Sequence, residues 1–265
     1  MSGRPDRQPG EEQPFDPILE TAENANTYTP LGPGDERIEA GRYVLWMGRA
    51  DEPAWNVAQR FRLQAGEVGE VIEEVHAHLR ARGRTACTWE VGSSATPGDL
   101  ADRLIALGLV ELEDQFSVGM VLRGDPAGAM PDGVSVRRSA SQEEEQVAAE
   151  IAAECFGGTP VARTFDPGSS VVTYLAFLDG EPVGRATGSF GEHSVSLFGG
   201  ATLPAARGRG VYRALVHARV RDAAARGTPV AITQGGPQSR PILVRLGFEE
   251  LCTIRTLLDP FDRQT

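Results

Sequence analysis

The sequence contains no lysine; all 26 of its basic residues are arginine. That uniformity reflects coding composition before it reflects function, but it excludes the Gly-Lys-Ser/Thr ending of a nucleotide P-loop. Cysteine is also scarce. Cys87, Cys155 and Cys252 form an odd, scattered set without a C-x-x-C pair, so neither a disulfide framework nor a zinc site is expected. Positive charge is in deficit, with a formal net charge of −11. That balance argues against a nucleic-acid partner, whose phosphates need clustered cations, and leaves room for a cationic acceptor. No apolar run reaches membrane-spanning length and the N-terminus is polar, so a cytoplasmic protein without a membrane partner is expected. His76 and His78 are two apart, on different faces of a helix, and are expected at the surface rather than on a metal.

With 265 residues, 40% hydrophobic and 24% charged, the chain has room for two modest domains. Residues 1–37 are rich in Pro, Gly, Glu, Asp and Asn and read as a disordered leader, with Ile18 and Leu19 able to touch the body. Strands are expected at Tyr43–Met47, Trp55–Leu63, Thr85–Val91 and Phe116–Leu122. Helices are expected at Glu67–Arg82 and Pro97–Leu107, stopped by Gly83 and Gly108. Gly124–Gly128 reads as a linker, which divides the chain into 38–128 and 129–265.

The second part opens on a strand at Val134–Arg137. A helix follows over Glu143–Cys155, begun by Ser141 with Glu144 three residues on, a capping-box spacing. Asp179-Gly180 joins two strands, Val171–Leu178 and Pro182–Phe190, as a hairpin. A strand at Val195–Phe198, a helix at Val211–Ala225 and a strand at Val230–Thr233 come next. A short helix around Ile242–Arg245 ends at Gly247-Phe248, and Cys252–Leu258 is the last strand. The class is therefore α/β, a mixed central sheet flanked by helices.

The stretch Thr202–Arg213 carries the chemistry. Two glycines, Gly208 and Gly210, stand where a strand turns into a helix, between Arg207 and Arg209. Glycine lets an anion approach the backbone, and the first N–H groups of a helix lack internal partners and carry the positive end of its dipole. A cradle for a phosphate or pyrophosphate is the simplest reading. The spacing departs from the G-x-G-x-x-G dinucleotide fingerprint.

Arg207-x-x-Gly210-x-Tyr212 resembles the coenzyme A pyrophosphate loop of the GNAT acetyltransferases, R/Q-x-x-G-x-G/A. Tyr212 departs from it, since that place is usually small, and its side chain must point away from the phosphates. Asp179–Gly184 resembles the family's strand-joining turn, and Leu246-Gly247-Phe248 its Gly-Phe ending. Together these cover about residues 134 to 258. The resemblance implies acetyl-CoA as co-substrate, with no metal, held by Thr202, Leu203, Arg207, Gly208, Arg209, Gly210, Val211, Tyr212 and Ser239. It implies a splayed strand pair around Gly199–Thr202 into which the pantetheine arm enters, and direct attack by an unprotonated amine. The family's usual thiolate donor, a tyrosine, is Leu243 here; Ser239 and Tyr212 are substitutes nearby. Glu192 and His193 stand where a catalytic carboxylate or its substitute is often found, and Asp166 and Glu154 are alternative acceptor contacts.

The halves also look alike. Gly83 and Gly227 each close a helix in Arg-Gly, 144 positions apart, and Leu107-Gly108 answers Leu246-Gly247 at an offset of 139. Two tandem GNAT copies are therefore expected, the first degenerate, because Leu63 takes the place of Arg207 and Glu67 puts a carboxylate in the cradle. The expected activity is N-acetylation of a primary amine, most simply of a small molecule. A catalytically inactive coenzyme-binding module and a protein or peptide acetyltransferase are the rivals. A homodimer is compatible with all three.

Overall fold

The computed structural model describes residues 16–112 and 116–260. In chain order its elements begin with α1 (Pro17–Glu23), α2 (Ala25–Tyr28), β1 (Glu36–Glu39), β2 (Val44–Met47), β3 (Asn56–Gln59), α3 (Val68–Arg80), β4 (Cys87–Gly92), α4 (Leu100–Ala106), β5 (Val110–Glu111) and β6 (Ser117–Arg123). They continue with β7 (Val134–Arg138), α5 (Gln142–Phe156), β8 (Val171–Leu178), β9 (Glu181–Phe190), β10 (Val195–Thr202), α6 (Val211–Ala225), β11 (Val230–Gly235), α7 (Arg240–Arg245) and β12 (Glu249–Asp259).

Local chemistry accounts for most of these boundaries. Ser141 caps α5 by accepting from the Glu144 N–H at 3.3 Å, and the Glu144 carboxylate accepts from the Ala140 N–H and pairs with Arg137. Asp179 and Gly180 both take positive φ, +51° and +89°, the geometry of a two-residue hairpin turn. Apolar positions of α3 at Val68, Val71, Ile72, Val75 and Leu79 all face inward.

All the strands join one continuous mixed sheet in the order β1-β2-β3-β4-β12-β6-β11-β10-β9-β8-β7, with β5 pairing β12 to the side. The order contains one pattern twice. In the first half β2 lies antiparallel to β3, which lies parallel to β4 across the α3 crossover. In the second half β9 lies antiparallel to β10, which lies parallel to β11 across α6. The strand that finishes each pattern comes from the other half: β12 lies against β4, and β6 against β11. β6 and β12 then pair antiparallel at the centre. The cores follow the same exchange. Leu257 of β12 packs with Trp89, Leu79 and Leu104 under α3 and α4, while Val118, Met120 and Leu122 of β6 pack with Val216, Leu243 and Phe248 under α6 and α7.

Two expectations need correction. Residues 16–37, expected within a disordered leader, form α1, α2 and the start of β1. Asp16 caps α1, and the helix lies over two glycines, Gly92 and Gly119, where side chains would collide with Glu23, Cys252 and the Ala22 carbonyl. The buried Glu23 carboxylate accepts from Ser93 and from the N–H and hydroxyl of Ser94. Polar composition concealed this segment because its anchors are themselves polar. Residues 1–15 lie outside the described residues. His76, expected at the surface, is only 8% exposed, and its Nε2 meets Asp259 at 2.7 Å. Trp89 Nε1 donates to the same carboxylate at 3.1 Å, so the histidine faces inward because β12 brings it a partner. His78 is half-buried.

Candidate functional site

The site lies where β10 and β11 part. Their parallel pairing runs from Val195–Ala231 to Leu197–Thr233 and stops, although both strands continue. At the fork the Thr233 hydroxyl donates to the Leu197 carbonyl at 2.9 Å. Beyond it the β9–β10 register shifts between Phe198 and Ala201, and Gly199 takes φ +50°. Two arginines hold this bulge, Arg219 buried and Arg185 half-buried. Arg219, 1% exposed, donates to the Thr187 and Phe198 carbonyls, and Arg185 donates to the Gly199 carbonyl at 2.8 Å. Burial pushes both guanidinium groups down to about 10.

Next along the chain, a single turn at Pro204–Ala206 leads into the loop. Gly208 and Gly210 take φ +77° and +83°, and α6 begins at Val211. Ala214 is the first residue of the helix whose N–H reaches a carbonyl, that of Gly210. Among the described residues, no protein acceptor is found for the N–H groups of Gly208 through Arg213. A run of unspent donors at the positive end of a helix attracts an anion. A Cβ on Gly208 would meet nothing, so that side of the loop is open, whereas one on Gly210 would strike Pro131 at 2.6 Å. The two glycines therefore do different work: Gly208 leaves space for a ligand and Gly210 for the protein itself.

The loop opens onto a cavity of about 1410 Å³. Thr202, Arg207, Gly208, Arg209, Gly210, Val211, Tyr212 and Ser239 all line it; Leu203 does not, and packs beside α5 instead. Tyr212 turns its ring across Gly200, away from the loop, which reconciles a large residue with this place in the motif. Burial raises its phenol, against the opposing effects of the Arg219 charge and a hydrogen bond with Ser239. A smaller cavity of about 300 Å³ continues from here to the fork and bulge, lined by Leu197–Gly200, Tyr212, Arg219, Thr233, Gln234 and Ser239. Leu243, where a tyrosine was looked for, is fully buried in the core beneath α7 and faces neither cavity.

Glu192 and His193 prove to be exposed residues of the turn between β9 and β10. That turn precedes the paired end of β10, whereas the cavity lies at the parted end, and neither residue lines it. Asp166 is spent on the Gly168 N–H in an exposed turn, and Glu154 is exposed; neither lines the cavity.

The far wall was not anticipated residue by residue. Asn26, Ala54, Val57, Thr88, Glu90 and Thr256 line the same cavity, and of these only Thr256 lies after the linker. Glu90 stands out, because its Oε2 is buried without a hydrogen-bond partner. Burial pushes its carboxyl up to about 7, opposed by a hydrogen bond from Gln234. Only the topology could have revealed it, since β4 reaches the cavity through its pairing with the C-terminal strand.

At the start of α3, the counterpart of the loop is occupied by the protein's own carboxylate. Glu67 accepts from the Gln64 N–H at 2.7 Å and pairs with Arg42 at 3.1 Å.

Residues 138–248 match the profile of the Acetyltransferase (GNAT) family. No curated protein matches the chain in sequence. Among solved structures, a GCN5-related N-acetyltransferase from Kribbella flavida is 22% identical, with a TM-score of 0.73 over 92% of this chain and 95% of that one. A GCN5-related N-acetyltransferase from Sphaerobacter thermophilus is 16% identical, with a TM-score of 0.57 over 82% and 80%. A tandem GNAT protein from the clavulanic acid biosynthesis pathway is 13% identical, with a TM-score of 0.55 over 94% and 89%. The profile thus likens residues 138–248 to the GNAT family, and the structures show that the chain shares their fold.

Proposed function

We propose that this protein transfers an acetyl group from acetyl-CoA to a primary amine of a small molecule, in a cavity walled by both halves of the chain. The observation that carries the reading is the run of unspent N–H groups from Gly208 to Arg213, open at Gly208 and leading to the parted strands β10 and β11. Acetyl-CoA supplies an activated acyl thioester. The loop donors and Arg207 suit its pyrophosphate, and the fork between β10 and β11 suits an extended arm that lies like a strand. Tyr212, whose phenol stays protonated at neutral pH, is placed to donate a proton to a departing thiolate.

The repeated pairing pattern favours two tandem GNAT copies, about 38–128 and 129–265, that have exchanged their last strands. In this reading only the second copy holds the coenzyme. The first has Glu67 where the anion would lie, and it serves as the acceptor wall.

Calorimetric titration with acetyl-CoA tests this. One equivalent per chain is expected, with affinity lowered about ten- to a hundredfold in Arg207→Ala, the loss of one charge-assisted contact. Gly208→Asp, which puts a carboxylate among the donors, is expected to abolish binding. Binding that is absent in the unaltered protein, or indifferent to both changes, would sink the reading.

A further inference from the structure

The acceptor side of the cavity contains a carboxylate from the half that lacks the anion cradle. We propose that Glu90 of β4 receives the ammonium group of the acceptor and takes its proton, making it the general base of the reaction; this rests on the acetyl-transfer reading above. The geometry is a chain of three elements. Glu90 pairs directly across from Thr256 of β12, and both side chains line the cavity that the Arg207–Arg213 loop opens onto. Gln234, whose side chain lies beside Glu90 and donates to the Glu23 carbonyl at 3.2 Å, is on β11 one residue past the fork, and it lines the smaller cavity together with the Phe198–Gly200 bulge. The carboxyl thus sits between the acceptor's space and the place where β10 and β11 part.

Among the described residues no cation pairs with Glu90, and its Oε2 is buried without a partner. The surrounding elements present Thr256 from β12, Gln234 from β11 and Asn26 from α2. The carboxylate of α1 on this face, Glu23, is occupied by Ser93 and Ser94. Cys87 on the same strand is fully buried and its thiol is pushed up. The charged groups that line the cavity besides Glu90 are Asp132, Arg207, Arg209, Arg213 and Arg245. A half-buried carboxyl with one oxygen out of solvent and no cation beside it is a site for a cationic group brought by a ligand.

The step balances as follows. An acceptor R–NH3+ gives one proton to the Glu90 carboxylate, which passes it to solvent. The freed nitrogen forms a bond to the acyl carbon as the C–S bond breaks. Tyr212 gives its phenolic proton to the departing thiolate; of the two protons left on nitrogen, one returns to Tyr212 and the other stays in the amide. A carboxyl balanced near pH 7 suits this transfer.

The test compares the full chain with its Glu90→Gln variant. Acetyl-CoA titration comes first: equal binding by both proteins separates this proposal from the coenzyme reading, which fails if neither binds. Turnover is then followed by thiol release with tyramine, putrescine and ethanolamine across pH. The expected result is a loss of about a hundredfold or more in Glu90→Gln and disappearance of the acidic limb of the profile. Equal rates, or an unchanged limb, would overturn the proposal. Infrared spectroscopy needs no acceptor, since a protonated-carboxyl band missing from Glu90→Gln should fade as pH rises through about 7. A carboxyl that ionises in the ordinary glutamate range overturns the proposal whether or not those amines react.

Discussion

Glycines with the same φ need not have the same role, and the loop makes this measurable. Gly208 and Gly210 both sit near +80°, yet one faces open space and the other Pro131. Gly210→Ala should lower stability by about 1–2 kcal/mol, because a left-handed alanine is strained and Pro131 must move. Gly208→Ala should cost only the backbone strain, about 1 kcal/mol, and weaken acetyl-CoA binding through its methyl. Thermal unfolding with coenzyme titration separates the two. Asp259→Ala strands the His76 and Trp89 donors in the core and should destabilise by about 1–3 kcal/mol. Glu90 should act in the opposite direction. Its carboxyl is raised from 4.5 to about 7 in the fold, so below 4.5 it is neutral in both states and contributes no penalty. As pH rises from 4.5 to about 7 the unfolded chain ionises while the native carboxyl keeps its proton, so stability is lost progressively, by up to about 3 kcal/mol, and levels off above about 7. Glu90→Gln should therefore unfold at a higher temperature than the unaltered protein, increasingly so as pH rises across that window.

Elements whose signals are local were legible in sequence. The α5 capping box, the Asp179-Gly180 hairpin and the amphipathic α3 all lie close to where periodicity and turn chemistry put them. The loop-to-helix junction at Arg207–Val211 was legible too, because two glycines stand between a strand signal and a helical one. What escaped depends on distant partners. α1 holds through Glu23, His76 turns inward for Asp259, and Glu90 reaches the cavity through β12; no window of sequence contains both members of such a pair. For the same reason Glu192 and His193 looked eligible, since sequence gives adjacency to β10 but not which of its ends parts from β11. At this scale α3 offers a prediction. Glu67→Ala empties the counterpart cradle, yet the Arg207–Arg209 charge pair has no analogue there, so acetyl-CoA stoichiometry by calorimetry should stay at one per chain.

At the scale of the molecule, the exchange of β6 and β12 makes the halves interdependent. Each core contains side chains from the other half, so calorimetric unfolding should show one cooperative transition rather than two. Fragments 1–128 and 129–265, expressed apart, should each lack their closing strand and remain unfolded; expressed together they should combine. The same feature bears on how the chain is made. β12 is the last of the described strands to be synthesised, and it fills a gap in the half made first. Until it leaves the ribosome, β4 presents an unpaired edge of the kind that recruits neighbouring strands. A message cut short before β12 would therefore yield not a protein missing a tail but an incomplete sheet with its centre open. Quality control would meet that product as an aggregation hazard.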